Sequence, residues 1–158
     1  MEIYLLLLLF VANGSPILAR LLLGKRFQRA LDGGLLLSDG SPLLGGAKTV
    51  RGVISAVLAT TLVAPILGFS WIIGMLIGGC AMLGDVMSSF IKRRMGLAPS
   101  SMALGLDQIP ESALPLLVCK PLLDISWFQV VYLTLIFIVL ELLLSRLLYM
   151  MGIRKHPY

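Results

Sequence analysis

Three short stretches bring together residue types that could do chemistry on a phosphate. The first is Gly84-Asp85-Val86-Met87-Ser88-Ser89-Phe90-Ile91-Lys92-Arg93-Arg94. Asp85 stands near the end of a long apolar run, where an acid is costly and by default marks function. At helical spacing Asp85, Ser88, Ser89 and Lys92 share one face. A carboxylate, hydroxyls and an ammonium converging there suit a metal-bound phosphate. The acid would hold a hard cation through oxygen, and the lysine and arginines would neutralise phosphate oxygens. The competing reading is an Asp85–Lys92 ion pair at a helix end, flanked by the basic residues that commonly follow a membrane span.

The second stretch is Gly105-Leu106-Asp107-Gln108-Ile109-Pro110-Glu111-Ser112. Asp107 could supply a second carboxylate to a metal shared with Asp85, and Glu111 lies one turn further on. Asp107 also reads as an ordinary helix cap, with Pro110 in the first turn behind it. The third stretch runs from Asp39-Gly40 through Gly45-Gly46-Ala47-Lys48-Thr49-Val50-Arg51-Gly52. A glycine-rich loop that enters a helix can hold phosphate on backbone N–H groups. No glycine directly precedes Lys48-Thr49 and no strand pattern leads into it, so a P-loop is not expected. The alternative is a flexible loop with anchoring basic residues. Asp32-Gly33-Gly34 reads as a turn.

These stretches lie between apolar runs. The 158 residues are 58% hydrophobic and 13% charged, with a mean hydropathy of +0.98. Soluble domains carry about 25% charged residues, so lipid must solvate much of this chain. Five spans are expected, at roughly 3–23, 53–69, 70–90, 109–123 and 126–151, with cytosolic loops at 24–52 and 91–108. The first span is interrupted by Asn13-Gly14-Ser15-Pro16, a kink that a bundle can absorb. The expected fold is all-α, a polytopic membrane helix bundle of about five transmembrane helices, forming one membrane-embedded catalytic domain over 1–158. Gly74 and Gly78 form a GxxxG pattern whose plain meaning is close helix packing.

Charge supports that topology. With five spans, both loops and the C-terminus share a side, and twelve of the thirteen Lys and Arg residues lie on or next to it; only Lys120 is opposite. That side is the cytosol by the positive-inside rule. The net charge of +5 is therefore topological. Basic residues flank spans with few aromatics among them, so no nucleic-acid partner is expected. Cys80 and Cys119 sit in apolar stretches and suggest neither a disulfide framework nor a zinc site. The only histidine is His156, which argues against a histidine metal site or a Ser-His-Asp triad. The start, Met1-Glu2 and then apolar residues, lacks the basic region of a signal peptide.

Taken in order, these motifs resemble the CDP-archaeol synthase family, part of the wider CDP-diacylglycerol synthase group of membrane cytidylyltransferases. The likeness rests on Ala12-Asn13-Gly14-Ser15-Pro16, Asp32-x-Gly34, Asp39-Gly40 and Gly46-x-Lys48-Thr49-x-Arg51-Gly52. It continues through Gly84-Asp85, Ser88/Ser89-Phe90-x-Lys92-Arg93-Arg94 and Leu106-Asp107-Gln108. In the wider group an Asp-Arg element stands where Asp107-Gln108 stands here, so position 108 carries no positive charge. The resemblance implies five transmembrane helices around a polar pocket open to the cytosol. It implies that CTP and a lipid phosphate give a CDP-lipid and pyrophosphate, the lipid being an archaeal-type ether lipid phosphate or phosphatidate. On this reading Asp85 and Asp107 hold Mg²⁺, and Lys92 and Arg93 bind the lipid phosphate or the triphosphate. Lys48, Thr49 and Arg51 cover the triphosphate with the Gly45-Gly46 backbone. Asn13, Asp39, Ser89, Arg94 and Gln108 complete the substrate-binding set. The protein would be an integral protein of the cell membrane, surrounded by membrane lipids, with its site facing the cytosol; a homo-oligomer is left open.

Two other functions compete. A CDP-alcohol phosphotransferase needs Asp-Gly-x-x-Ala-Arg and spaced aspartates, and Asp39-Gly40 lacks that continuation. A small membrane transporter or scaffold would use Asp85 as a coupling or gating acid.

Overall fold

The computed structural model of the chain describes residues 1–98 and 101–152. Five helices follow one another: α1 Glu2–Leu23, α2 Val50–Ile66, α3 Trp71–Arg94, α4 Gln108–Leu123 and α5 Trp127–Met150. The fold is all-α, as composition required. Three helices, α1, α3 and α5, are long and apolar enough to cross a membrane. The α2 and α4 helices have 17 and 16 residues, about 25 Å of rise against the roughly 30 Å of a hydrocarbon core.

Local chemistry sets the helix ends. Thr49 caps α2 by accepting the Gly52 N–H at 3.2 Å, so α2 starts at Val50 rather than 53. It stops after Pro65-Ile66, and Gly68 turns the chain at φ 85°. Ser70 then caps α3. The α3 helix continues past residue 90 and takes Lys92, Arg93 and Arg94 into its last turn, where the helix dipole favours cations. The α5 start is a reciprocal capping box between Ser126 and Gln129, which satisfies two orphan donors.

Pro16 lies inside α1 and cannot donate to the Ala12 carbonyl. Ser15 Oγ donates to that carbonyl instead, at 3.3 Å, and Asn13 Nδ2 donates to the Leu9 carbonyl at 3.0 Å. The Asn-x-x-Pro element thus mends its own break, as a chain in lipid must.

Packing fixes which ends lie together. Gln129 Nε2 donates to Glu2 Oε1 at 2.8 Å, so α5 and α1 start side by side. Alternating helix direction then brings both long linkers and the end of α5 to the opposite end of the bundle. The core joins Leu5, Leu8 and Leu9 of α1 to Ile77, Leu116, Leu133 and Phe137. Outward residues such as Leu22, Leu62, Ile66 and Phe128 are more than two-thirds exposed, the pattern of a lipid-facing surface. Gly74 and Gly78 lie against Thr60 and Val57 of α2, where a Cβ would collide with backbone; the GxxxG pattern is a packing seam. Gly84 does the same against the Pro110 carbonyl of α4, and this contact brings the acid of α3 against the acid of α4.

Candidate active site

The site lies at the end of the bundle where the two long linkers meet. Its first half is built on the linker from Gly24 to Thr49. Leu31 N–H donates to the Lys48 carbonyl at 2.8 Å and Val50 N–H to the Arg29 carbonyl at 3.1 Å, so the linker's two ends run side by side. Its tip is tied by Leu37 N–H to Ser41 and Leu43 N–H to Leu35, both at 2.9 Å. Asp32 is the knot. Its buried carboxylate accepts the N–H groups of Gly34 at 3.0 Å, Leu44 at 2.9 Å and Gly45 at 3.2 Å. The Gly34 N–H, with those of Leu44 and Gly45, holds this carboxyl below the usual carboxylate range against the opposing effect of burial. The glycine-rich loop is thereby ordered rather than flexible, and it delivers Lys48 to the bundle.

Lys48 Nζ forms an ion pair with Asp85 of α3. Asp85 in turn lies beside Glu111 of α4, with Glu141 of α5 close enough to act on it electrostatically. Glu111 is only 8% exposed. The structure therefore pairs Asp85 with a carboxylate that the sequence reading noticed and gave no role. The signal was available: Glu111 is one helical turn beyond Asp107, and Gly84 marks a close approach at that level.

Asp107 faces elsewhere. It precedes α4 with αR dihedrals and makes no capping bond. Its Oδ1 pairs with Lys92 Nζ at 2.6 Å and its Oδ2 accepts the Ala103 N–H at 3.0 Å. Lys92 also donates to the Ser101 carbonyl at 3.0 Å. Neither the Asp85–Lys92 pair nor the helix cap is formed. Lys92 stands seven residues from Asp85, about 10 Å along the α3 axis, so the two ion pairs occupy successive levels of one helix face.

The remaining expected residues are placed as follows. Ser88 Oγ donates to the Asp85 carbonyl at 2.9 Å, and Ser89 is 3% exposed. Arg93 is buried beside the second linker. It donates to the Ala98 carbonyl at 2.9 Å, and its Nε and Nη1 have no hydrogen-bond partner among the described residues. Arg94 pairs with Asp39 at 3.2 Å and donates to the Pro42 carbonyl at 2.9 Å, tying the tip of the first linker to α3. Ser41, through its hydroxyl and its N–H, and Arg94 lower the Asp39 carboxyl below its usual range. Gln108 accepts the Gly105 N–H at 2.9 Å. Arg51 is turned to the end of α1, donating from Nη1 to the carbonyls of Gly24 at 3.0 Å and Arg26 at 2.5 Å. Thr49 is the α2 cap, Asn13 is engaged within α1, and the Gly46 backbone follows the two amides that Asp32 holds.

Among the described residues no three acid, His or Cys side chains converge on one point. Two do, Asp85 and Glu111. Mg²⁺ is commonly held by one or two carboxylates, with substrate phosphates and water completing the shell. A pair of touching carboxylates, one of them deeply buried, fits such an ion.

The whole chain, residues 1–158, matches the family model described as CarS-like: CDP-archaeol synthase. The CDP-archaeol synthase of Sulfurisphaera tokodaii is 36% identical over 94% of this chain and 85% of its own length. The chain belongs to the CDP-archaeol synthase family. Another family member, from Thermococcus kodakarensis, is 31% identical over 94% of this chain and 90% of its own. The bundle also matches a solved structure of an intramembrane enzyme for archaeal membrane lipid biosynthesis. The TM-score is 0.72 at 23% identity, over 87% of this chain and 90% of that one. This family member is accordingly an integral membrane protein with the same helical fold.

Proposed function

We propose that this chain transfers the cytidylyl group of CTP to the phosphate of an archaeal-type ether lipid, on the cytosolic side of the membrane, giving a CDP-lipid and pyrophosphate. Membership of the family makes it a nucleotidyltransferase. The observation that carries the site is the meeting of Lys48, Asp85 and Glu111, from the first linker, α3 and α4, at the end of the bundle that also holds Lys92, Arg93 and Arg94.

A lipid phosphate oxygen attacks the α-phosphorus of CTP. A new P–O bond forms there as the bond to the β-phosphate oxygen breaks, and pyrophosphate leaves with that electron pair. Two polyanions must approach, so charge neutralisation is the main task. Asp85 and Glu111 would hold Mg²⁺, which when bound supplies charge stabilisation to the phosphates. Lys48, whose linker is fixed by the Asp32 knot, reaches the triphosphate. Arg93 has two buried nitrogens with no partner among the described residues and a fork geometry that suits phosphate. Lys92 is held for the same task by Asp107, which we assign to that lysine rather than to the cation. Ionised phosphates need no general base, in keeping with a site that has no histidine among the described residues. The lipid chains stay among the exposed apolar faces while the headgroup enters at the linkers.

The test is pyrophosphate release by the purified protein in detergent with Mg²⁺, each of the four nucleoside triphosphates, and either an archaeal-type lipid phosphate or phosphatidate. Release with CTP that requires the ether lipid phosphate is the expected result. Release only with phosphatidate would change the lipid. No release from folded protein would favour the transporter or scaffold reading.

A further inference from the structure

Lys48 makes its ion pair with the very carboxylate that a divalent cation would need. We propose that in the nucleotide-free protein the Lys48 ammonium occupies the cation's place on Asp85, beside Glu111, and that cation and CTP bind by exchange of partners. Asp85 passes from the lysine to the divalent ion, which Glu111 also meets, and Lys48 passes from carboxylate to a nucleotide phosphate. This inference rests on the reading above and assigns Lys48 a role in cation affinity as well as in nucleotide binding.

Three observations support it. Asp85 and Glu111 lie side by side, and Lys48 is the cation paired with Asp85. Carboxylates this close either share a proton or take a positive charge beside them, and Lys48 is the positive charge beside Asp85. Next, the Lys48 backbone is held by hydrogen bonds while its long side chain is partly exposed. Its carbonyl accepts the Leu31 N–H at 2.8 Å and its N–H donates to the Gly45 carbonyl at 3.3 Å. The four-carbon stem is flexible, and the two side chains of the pair are 21% and 22% exposed, so solvent reaches the contact. Last, the neighbouring lysine is built in the opposite way. Lys92 is 8% exposed in its side chain and is held by both Asp107 and the Ser101 carbonyl. Of the two lysine pairs, that of Lys48 is the one arranged to open easily.

Exchange has a thermodynamic consequence. A divalent ion must displace the ammonium to reach Asp85, so Lys48 competes with it. A nucleotide phosphate that takes Lys48 removes the competitor. Cation and CTP therefore assist each other's binding through this residue, and the assistance is reciprocal.

Mn²⁺ binding to the purified full chain in detergent, read from the EPR signal of free Mn²⁺ without nucleotide, tests this. Lys48→Met should bind Mn²⁺ roughly tenfold more tightly than the wild type, a typical coupling factor, while binding CTP more weakly. Unchanged or weaker Mn²⁺ binding by folded Lys48→Met overturns the proposal. A role in folding alone cannot produce opposite signs for the two ligands. A second measurement needs no variant: acetylation of Lys48 by acetic anhydride, followed by mass spectrometry. Labelling of the wild type should rise when Mg²⁺ alone is added and fall again when CTP joins it. Labelling unmoved by saturating Mg²⁺ overturns the exchange. Pyrophosphate release is measured separately. Exchange without turnover on any lipid phosphate leaves this inference standing and removes the cytidylyl reading; turnover without exchange does the reverse.

Discussion

Two ion pairs sit on one face of α3, and they are built for different work. Lys48–Asp85 joins positions 37 residues apart, with both side chains about one-fifth exposed. Lys92–Asp107 joins the end of α3 to the start of α4, and its lysine is nearly buried with a carbonyl as second acceptor. Removing one partner of a buried pair costs about 3–5 kcal/mol, because the other charge is stranded. A half-open pair costs far less to part. The difference separates a contact that holds its lysine in place from one that can be traded for ligand.

The largest effect should come from Asp85→Ala. Turnover in the pyrophosphate assay should fall on the order of a thousandfold, the scale of losing a principal electrostatic group, with the protein still folded by size-exclusion chromatography. Retained turnover would remove Asp85 from the cation. Glu111→Gln and Asp107→Asn then divide the two levels of the face. Glu111→Gln should weaken Mn²⁺ binding about tenfold or more, since losing even an outer-shell partner of a metal ligand costs that much. Asp107→Asn should leave Mn²⁺ affinity near wild type and instead lower the melting temperature and turnover, through a stranded Lys92. The reverse outcome would return the second metal carboxylate to Asp107.

A third, smaller effect concerns the contact that makes the upper level. Gly84→Ala places a methyl group against the Pro110 carbonyl, whereas a Cβ at Gly79 meets nothing within 4 Å. Overpacking costs typically 1–3 kcal/mol. Gly84→Ala should therefore lower the melting temperature and Mn²⁺ affinity together, while Gly79→Ala should change neither. Equal behaviour of the two variants would mean that the α3–α4 approach is not what pairs Asp85 with Glu111.

These contrasts mark what was legible in the sequence. Five helices and the side carrying the basic residues follow from apolar run length and charge placement, both properties of single segments. Asp85 stands out for the same reason, as an acid in an apolar run. Partner choice is a property of two segments at once. Asp85 and Lys92 share a helical face, which made their pairing look natural, but α3 carries them two turns apart and other elements supply each partner. Asp107 looked like a cap because its position is right; its carboxylate turns back because Lys92 and the Ala103 N–H lie behind it. Arg51 matches a phosphate-binding motif, yet the end of α1 offers it two carbonyls. Asp32 looked like a turn residue, and nothing in its neighbours in sequence reveals that Leu44 and Gly45 donate to it.

Asp32 gives a prediction in pH. Its folded carboxyl lies below the ordinary value of 3.8, so its contribution to loop order is present above that value and lost as pH falls through the lowered folded one. Amides of Leu44 and Gly45 should stay protected from hydrogen exchange at neutral and mildly acid pH and lose protection only below the usual carboxylate range. Asp32→Asn should speed their exchange roughly tenfold at neutral pH, the effect of weakening charge-assisted hydrogen bonds. Unchanged exchange in that variant would mean the linker is ordered by its ladder alone.

The smallest effect belongs to Arg94. Its partner Asp39 is well exposed, and the arginine also lies over the Phe90 ring at 5.5 Å. Exposed pairs contribute little and are screened by salt. With the Asp32 knot intact, Arg94→Ala should loosen only the tip of the first linker. The expected change is about a two- to threefold rise in KM for CTP, in the range of a lost surface contact, with kcat unchanged and the difference shrinking at high salt. A large fall in kcat at unchanged KM would instead put Arg94 against the reacting phosphates. The Asp39 pair would then be a second contact that opens for ligand, and the contrast drawn between the two ion pairs would have to include it.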